Sequence, residues 1–370
     1  MRLSSGWVQV MAASTSLHLR GPVLVGPDDE RPEAWVVDGR ITFDRPLAAA
    51  DEIEGWVLPG LVDAHCHIGL GSHGEVPAEV AEQQALTDRD AGALLLRDAG
   101  SPADTRWVQS RDDLPVLIRA GRHIARTRRY IRDFANEVEP EQLVAAVQEQ
   151  ARSGDGWVKL VGDWIDRETG DLAPCWPTDV LVEAIAAAHE LGARVTAHCF
   201  GEECLEPLVL AGIDCIEHAT GLTDETIPLF VQHDVAIVPT LINIATFPDI
   251  AAPATEKFPR YARHMLALHE RRYATIAAAR DAGIRVYTGT DAGGSLAHGR
   301  LADEVLELAA AGFSPTEALR AATWDARPWL RQAGLEEGAS ADLVVYAADP
   351  RQDLGALKHP KAVVLRGAVR

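Results

Sequence analysis

The feature that most constrains the fold is a regular alternation of short apolar runs and longer amphipathic stretches between about residues 90 and 312. Such alternation is typical of β/α units around a parallel sheet. The sequence predicts eight strands: Leu61–His67, Ala93–Arg97, Pro115–Ala120, Trp157–Val161, Arg194–Cys199, Asp214–His218, Ala236–Thr240 and Arg285–Thr290. The helix-like stretches between them include Glu141–Ala151, Thr178–Leu191, Glu203–Leu210, Asp224–Gln232 and Tyr261–Ala282. Eight strands with intervening helices predict a (β/α)8 TIM-like barrel, and an open doubly wound sheet is the alternative.

Several predicted helices end at a glycine just before the next strand. Gly192, Gly212 and Gly283 hold these positions. Glycine adopts the left-handed conformation that ends a helix and turns the chain back toward the sheet. We therefore expect positive φ at all three glycines.

Both ends of the chain differ in character from the middle. Residues 16–57 contain strand-like runs broken by Pro- and Asp-rich turns, and similar runs return after Gly338. The runs are Leu17–Leu19, Ala34–Val37, Arg40–Phe43, Asp342–Tyr346 and Ala362–Leu365. The sequence predicts a small flanking β-sandwich domain made of residues 1–57 plus 336–370, beside a hydrolase barrel of residues 58–335.

Charge and composition exclude several classes of protein. The chain has 35 Lys and Arg against 55 Asp and Glu, a net charge of −20 over 370 residues, so a nucleic-acid surface is not expected. No apolar stretch reaches the roughly 18 residues of a membrane span, and we expect a cytoplasmic protein that does not bind membranes. Its first residue is either Met1 or Met11. The five cysteines are odd in number and lack CxxC spacing, which predicts reduced thiols; they are Cys66, Cys175, Cys199, Cys204 and Cys215.

Two histidines close the first predicted strand. His65 and His67 are two residues apart, so both rings point to the same side of the strand and can bind one metal ion. An isolated pair with this spacing is also common as a purely structural feature. The neighbouring Asp63 lies on the same side and is expected either to orient a ligand imidazole or to serve only the fold.

Further ligand-type side chains follow other predicted strands at the same end. His198 closes the fifth strand, His218 closes the sixth and Asp291 follows the eighth. In a barrel these strand ends share one face, which is where active sites form. Together with Lys159 they predict a metal centre, with Zn²⁺ as the first expectation and Mn²⁺ or Fe²⁺ as alternatives.

Lys159 stands out because it lies within the apolar run Trp157–Val161. Only four of the 35 basic residues are lysines, and burial of an ammonium group is costly. A neutral amine can react with carbon dioxide to form a carbamate, whose two oxygens can bridge two cations. The alternative is a lysine whose head reaches solvent at the strand end.

Taken together, these ligands resemble those of the binuclear branch of the amidohydrolase superfamily. Four segments are similar to its imidazolonepropionase-related and metal-dependent prolidase-like group: Leu58–His65, Arg97–Gly100, Val238–Leu241 and Gly289–Gly293. The resemblance implies two divalent metal ions and a carboxylated Lys159. It also implies hydrolysis of an amide, cyclic amide or ester bond, such as that of a dipeptide or N-acyl amino acid, by a metal-bridging hydroxide. Asp291 and His218 are the expected catalytic residues, with Asp291 transferring the proton.

Two loops depart from the prolidase pattern, since Ala125–Tyr130 and Gly162–Trp164 replace Gly-rich segments. The first loop begins an arginine-rich stretch in which Arg128, Arg129 and Tyr130 suit an anionic substrate; the alternative is a solvated basic surface. The remaining expected substrate-binding residues are Trp164 and His298.

Two other functions stay open at this point. In the deaminase branches a Glu handles protons three residues after the fifth-strand histidine; here that position is Gly201, and Glu202 is the nearest substitute. A mononuclear-metal deaminase of a small heterocycle is thus one alternative, and a non-catalytic scaffold of the same fold is the other. The expected partner is a small-molecule substrate, and a homo-oligomer is allowed.

Overall fold

The computed structural model of the chain describes residues 16–47 and 49–370. The choice between Met1 and Met11 as first residue therefore lies outside the described residues. Strands and helices alternate along the chain, which confirms the predicted α/β class. The strands are β1 (Leu17–Leu24), β2 (Glu30–Val37), β3 (Arg40–Thr42), β4 (Asp51–Glu54), β5 (Trp56–Pro59), β6 (Leu61–Cys66), β7 (Leu70–Gly71), β8 (Gly74–Glu75), β9 (Ala93–Asp98), β10 (Val116–Arg119), β11 (Ile124–Arg126), β12 (Asn136–Val138), β13 (Trp157–Val161), β14 (Asp163–Asp166), β15 (Asp171–Pro174), β16 (Arg194–Cys199), β17 (Cys215–His218), β18 (Ala236–Val238), β19 (Leu343–Tyr346), β20 (Ala362–Leu365) and β21 (Ala368–Val369).

Five of the α-helices match the predicted amphipathic stretches to within three residues. The described α-helices are α1 (Ala78–Asp90), α2 (Leu143–Ser153), α3 (Thr178–Glu190), α4 (Leu205–Leu210), α5 (Ile227–Gln232), α6 (Leu241–Ile244), α7 (Phe247–Ala251), α8 (Pro259–Asp281), α9 (Leu301–Ala310), α10 (Pro315–Ala322) and α11 (Ala326–Trp329). The five that match are α2, α3, α4, α5 and α8. Short 3₁₀ turns lie at Arg106–Ser110, Pro140–Gln142, Ala252–Ala254 and Leu354–Lys358. The three glycines predicted to end helices have the expected positive φ, +76° at Gly192, +91° at Gly212 and +90° at Gly283.

The central strands pair in parallel in two groups. One has the order β10-β9-β6 and the other the order β12-β11-β13-β16-β17-β18. Apolar side chains on their outer faces pack against the helices, since Ile124, Leu160 and Ile216 belong to the largest buried cluster. The arrangement is consistent with the predicted TIM-like barrel.

The eighth predicted strand, Arg285–Thr290, is not a regular strand. It still lies between β18 and β6, because the Ile237 amide donates to the Arg285 carbonyl (2.9 Å) and the Ala64 amide donates to the Thr288 carbonyl (2.8 Å). At Gly289 the backbone passes so close to its neighbours that a Cβ there would lie 2.4 Å from Val238 and 2.7 Å from His65. This close passage links the two groups of parallel strands.

A β-hairpin of β14 and β15 replaces a segment expected to be a loop after Lys159. Its antiparallel register pairs Asp163 with Pro174 and Asp166 with Asp171. Because aspartates stand at both ends of β14 and begin β15, neither strand has the apolar run by which the other strands were found.

Both ends of the described chain contribute to one eight-stranded sheet, of order β21-β20-β19-β5-β1-β2-β3, with β4 paired to β1. The contact between the two ends is the antiparallel pair β5–β19, in which Pro59 faces Leu343. The sandwich architecture and the domain boundaries stay predictions.

Two smaller expectations concern cysteines and membranes. All five cysteines are buried and free, which confirms the reduced thiols. In the part of the chain that the structure describes, no helix has the length and apolar character needed to cross a membrane.

The sheet that joins both chain ends gives a stability prediction. Leu343 is fully buried in it, so Leu343→Ala should lower the free energy of unfolding by about 2–5 kcal/mol, because it removes buried methyl groups and leaves a cavity. Val369→Ala is the control, since Val369 is 52% exposed and should change stability by about 0.5 kcal/mol or less. Urea unfolding measures both. Equal effects of the two substitutions would contradict the role of β19.

Candidate metal centre

Three of the predicted ligands meet where β6 ends. Oδ1 of Asp291 lies 2.9 Å from Nε2 of His65 and 2.9 Å from Nε2 of His67, and these two nitrogens are 3.1 Å apart. The parallel passage of the Asp291 segment beside β6 brings them together, because the Asp291 amide donates to the His65 carbonyl (2.7 Å).

Two of the imidazoles are held through their other ring nitrogen. Nδ1 of His67 lies 2.6 Å from the Gly100 carbonyl oxygen, which can only accept a hydrogen bond. Nδ1 of His218 lies 2.7 Å from Oγ1 of Thr240. When Nδ1 donates, Nε2 keeps its lone pair, which is the tautomer that a metal ligand needs.

His198 and His218 complete a group of four imidazoles. Their ring centroids are 4.7 Å apart, and His218 lies 5.2 Å from His65 by the same measure. His65, His218 and Asp291 each offer a ligand atom within 4.8 Å of the others. Nε2 of His198 is buried and has no hydrogen-bond partner among the described residues.

The backbone is strained at these strand ends. His218, Thr240 and Asp291 have φ values of +66°, +49° and +58°. Residues other than glycine seldom adopt positive φ, and a β-branched threonine does so least readily. Such conformations cost about 1–3 kcal/mol each and cluster at functional sites. Here they direct His218 and its Thr240 partner toward Asp291.

Lys159 is buried with 1% exposure, which excludes the alternative of a lysine head reaching solvent. The sequence indicates no partner for its charge, but the structure provides one, because Nζ donates to Oε2 of Glu217. Glu217 also accepts from Oγ1 of Thr196 (2.9 Å) and from the Arg97 guanidinium (3.3 Å). Sequence reasoning missed Glu217, although an acidic residue inside an apolar strand was a signal of the same kind as Lys159.

Electrostatics leave His65, His218 and Asp291 in the forms that a cation requires. For His67, burial lowers the pKa, but the hydrogen bond with Asp291 and the charge of that carboxylate outweigh burial and raise it. Burial lowers the pKa of His65 to about 4 and that of His218 to about 3, although nearby carboxylates oppose the shift. Burial alone would raise the pKa of Asp291, but the facing imidazoles of His65 and His67 outweigh it and hold this pKa well below its usual value. At neutral pH the imidazoles of His65 and His218 are thus neutral and Asp291 is ionised.

The donor set fits a divalent metal ion. Ligands at about 2.0–2.1 Å from a tetrahedral zinc lie about 3.4 Å from one another, close to the separations among His65, His67 and Asp291. Nε2 of His198 makes no hydrogen bond among the described residues and lies 3.9 Å from the Asp163 carboxylate, so it offers a further nitrogen donor. The six predicted ligands thus include groups well suited to a metal, and their individual roles stay predictions.

Two of the expected substrate-binding residues lie beside these imidazoles. The Tyr130 ring is 5.8 Å from that of His198 and 4.8 Å from that of Trp164, and Trp164 lies 5.5 Å from His198. Both aromatic side chains are partly exposed. They form an aromatic wall next to the metal-binding candidates.

The other three expected substrate residues have different surroundings. The Arg129 guanidinium binds the carbonyl groups of Trp164 (3.0 Å) and Ala173 (2.8 Å) and the carboxylate of Asp166 (3.2 Å), so it holds the β14–β15 hairpin. Arg128 is exposed. Nδ1 of His298 lies 2.7 Å from the buried Asp88 carboxylate. No contact joins these three side chains to the histidine group among the described residues.

The contacts of two acidic residues bear on alternatives that the sequence left open. Asp63 accepts from the backbone amides of His65 (3.1 Å) and Thr290 (3.0 Å), so it fixes two strand ends rather than an imidazole ring. Glu202 is bound by His264 (2.9 Å) and Arg271 (2.5 Å). Both carboxylate oxygens of Glu202 are therefore engaged, which disfavours the proton transfer that the deaminase alternative needs from this residue.

His123 is a buried residue that sequence reasoning passed over. Its ring stacks on that of His67 at 5.1 Å with an interplanar angle of 4°. The sequence did contain a signal for it. His123 is a polar residue that follows the apolar strand β10 and precedes the arginine-rich loop.

The family model described as the amidohydrolase family matches residues 56–369. The chain belongs to the amidohydrolase family. An uncharacterized protein of Mycobacterium tuberculosis is 58% identical over 363 residues, 97% of each chain. The structure of a Xaa-Pro dipeptidase with bound methionine superposes with a TM-score of 0.82 at 22% identity, covering 96% of this chain and 100% of that one. A putative prolidase from Bifidobacterium longum has a TM-score of 0.80 at 25% identity, covering 96% and 95%.

These similarities confirm the predicted superfamily and its prolidase-like group. The protein is an enzyme that acts on carbon–nitrogen bonds, and its family generally binds divalent metals. A non-catalytic scaffold is therefore the wrong alternative.

The Glu202 contacts give a pH prediction for this amidohydrolase. His264 bridges Glu202 and Asp171, and its hydrogen bond with Glu202, opposed by burial and helped by Asp171, raises its pKa to about 9. The stabilisation that this histidine provides is fully present below about pH 6.5, which is the pKa of a histidine in the unfolded chain. It is lost as pH rises through about 9, and the free energy of unfolding then falls by about 1–3 kcal/mol. His264→Gln should remove this part of the pH dependence. Urea unfolding at pH 6 and pH 9.5 tests it, and parallel curves for both proteins would contradict it.

Proposed function

We propose that this amidohydrolase cleaves the amide bond of a small N-acylated substrate, such as a dipeptide or an N-acyl amino acid. In this proposal the strands close into a (β/α)8 barrel that carries two divalent ions, zinc first and manganese or iron as alternatives. The proposed ligands are His65, His67, Lys159 in its carboxylated form, His198, His218 and Asp291. The resemblance to prolidase-like enzymes supports this substrate class.

One observation carries the proposal. A single carboxylate oxygen of Asp291 lies within 2.9 Å of Nε2 of both His65 and His67. The Gly100 carbonyl binds Nδ1 of His67, so Nε2 is the nitrogen that faces Asp291 and would bind a cation. One carboxylate oxygen and two imidazole nitrogens are three metal-ligand atoms. Their close grouping favours binding of a cation over a purely structural hydrogen bond.

Bound divalent ions supply an acidified water and polarise the substrate carbonyl. Asp291 is suited to move the proton, because its side chain is ionised and 19% exposed, whereas that of His65 is fully buried. It takes the proton of the attacking water and delivers it to the leaving nitrogen. His218 is held by Thr240 on the same side of the site as Asp291 and contributes to catalysis there.

Substrate recognition in this proposal relies on the aromatic wall. Trp164 packs against the substrate, and the Tyr130 hydroxyl gives it a polar contact. Recognition of an anionic substrate by Arg129 is less favoured, since that guanidinium already has three protein partners. Arg128 and His298 stay predictions, as do a cytoplasmic location and a homo-oligomer.

A substrate panel tests the proposed function. Zinc-loaded and manganese-loaded enzyme is assayed against dipeptides, N-acyl amino acids, lactams and matched esters, and metal per chain is measured by mass spectrometry. We expect amide hydrolysis by enzyme that holds about two metal ions per chain. This activity should be lost after dialysis against a chelator and restored when metal is added back. Activity that survives complete removal of metal would refute the proposal.

The proton-transfer role makes a separate prediction. Asp291→Asn keeps the shape of the side chain but removes its basic oxygen, so kcat should fall by at least about 100-fold. The measurement uses the best substrate of the panel and protein whose metal content has been verified. Asp90→Asn, at an exposed position, is the control and should leave kcat unchanged. An Asp291→Asn enzyme with full metal and normal kcat would exclude the role.

A further inference from the structure

His123 is fully buried, and neither of its ring nitrogens has a hydrogen-bond partner among the described residues. Leaving a buried polar group unpaired costs about 1–3 kcal/mol, so such a group calls for a partner. The ring cannot turn to find one. It is stacked on His67 and lies 5.5 Å from the Tyr130 ring, and a Cβ at Gly100 would be 2.8 Å from its Nδ1.

The strand register shows what lies beside this ring. β11 pairs with β13 in parallel, with Ile124 opposite Leu160. One residue earlier on each chain, His123 and Lys159 therefore stand side by side. Side chains alternate between the two faces of a strand, and Ile124 and Leu160 belong to the apolar cluster packed against the helices. His123 and Lys159 thus share the opposite face, which contains the metal-binding candidates.

We propose that His123 donates a hydrogen bond to the carboxylate that carbon dioxide forms on Lys159. This inference rests on the carboxylated lysine of the proposed function. The Lys159 ammonium first loses a proton, its nitrogen lone pair then attacks the carbon of carbon dioxide, and a C–N bond forms while one C–O π pair moves onto oxygen. The nitrogen loses a second proton, and both protons pass to bicarbonate in the medium.

The surroundings of Lys159 contain few donors that are free to bind a second anionic group. Thr196 and Nη2 of Arg97 donate to Glu217, and Nε of Arg97 donates to the Ala64 carbonyl, so that only Nη1 of this guanidinium has no partner among the described residues. The new carboxylate has two oxygens with several lone pairs, of which metal ions take only some. An imidazole held on the same face supplies a further N–H. Because His123 is fully buried, bulk solvent does not supply its partner.

Three variants separate this role from simple packing. His123→Phe keeps an aromatic ring against His67 but removes both nitrogens. If the His123→Phe protein does not fold, the His123→Met protein is used in its place. His123→Gln restores an N–H at the end of a side chain of similar length. Lys159→Ala is the control that has no amine to carboxylate. Circular dichroism and the thermal midpoint establish that each protein is folded.

The experiment measures the carboxylate itself as well as metal retention. Zinc-loaded enzyme is equilibrated with ¹³C-bicarbonate, and the carbamate carbon is detected by ¹³C NMR. Metal-depleted enzyme is also reloaded with zinc over a range of bicarbonate concentrations. We expect a carbamate signal in the unchanged chain but not in Lys159→Ala. His123→Phe should need at least about tenfold more bicarbonate for half-maximal signal and reloading, as for loss of a hydrogen bond to a charged group, and His123→Gln should recover part of it.

Two results would overturn the inference. An equal bicarbonate requirement in the unchanged chain and in folded His123→Phe or His123→Met would show that the imidazole does not hold the carboxylate. The absence of any carbamate signal in the unchanged chain would remove the modification and this inference with it. That result would leave amide hydrolysis, which the substrate panel tests separately, unaffected.

Discussion

The buried carboxylate of Glu217 connects more of the interior than any other single group described above. It extends from β17 and contacts Lys159 on β13, Thr196 on β16 and Arg97 on β9. Nδ1 of His65 on β6 lies 3.4 Å from the same carboxylate. Burying the charges of Arg97, Lys159 and Glu217 away from water costs free energy unless these groups are paired and hydrogen-bonded. Side chains from three other strands are therefore hydrogen-bonded to one acidic residue, which fixes their positions beside the strand ends that hold the metal-binding candidates.

The same arrangement separates two kinds of chemistry along the strands. The Glu217 carboxylate lies on the inner side, where it is fully buried and paired with Arg97 and Lys159. Asp291, by contrast, is partly exposed at the strand ends. Because both carboxylates contact His65, through Nδ1 and Nε2 respectively, this imidazole connects the fixed charges with the outer group. A change at Glu217 would thus be felt in the ligand geometry of His65.

Much of the fold could be predicted from the sequence because apolar periodicity reports which faces of an element are buried. β13 and β16 were found with their observed bounds for this reason. Periodicity carries no information on strand pairing, so it could not show that the backbone at Gly289 passes close to His65 and Val238. The β14–β15 hairpin was missed because its stability comes from Arg129 and from pairing across its strands.

The candidate site shows the same limit. Residue type and position at strand ends were enough to select His65, His67 and Asp291, which the structure brings into contact. Charged partners could not be predicted, because a partner can be distant in sequence, as Lys159 and Glu217 are. The arginine-rich loop shows the converse: composition indicated free cations, whereas Arg129 is engaged by backbone carbonyl groups of the hairpin.

The pairing of β5 with β19 also bears on how the chain is made. Pro59 and Leu343 are opposite one another in that pair, although about 280 positions separate them, and contacts between such distant residues form late and slowly. During translation β5 and β1 emerge from the ribosome long before β19 exists, so one edge of β5 waits unpaired through nearly the whole of synthesis. An unpaired edge can join strands of other chains. Slower elongation anywhere between β5 and β19 would therefore lengthen the exposure of this edge, and a chaperone that protects it would have to bind early in synthesis.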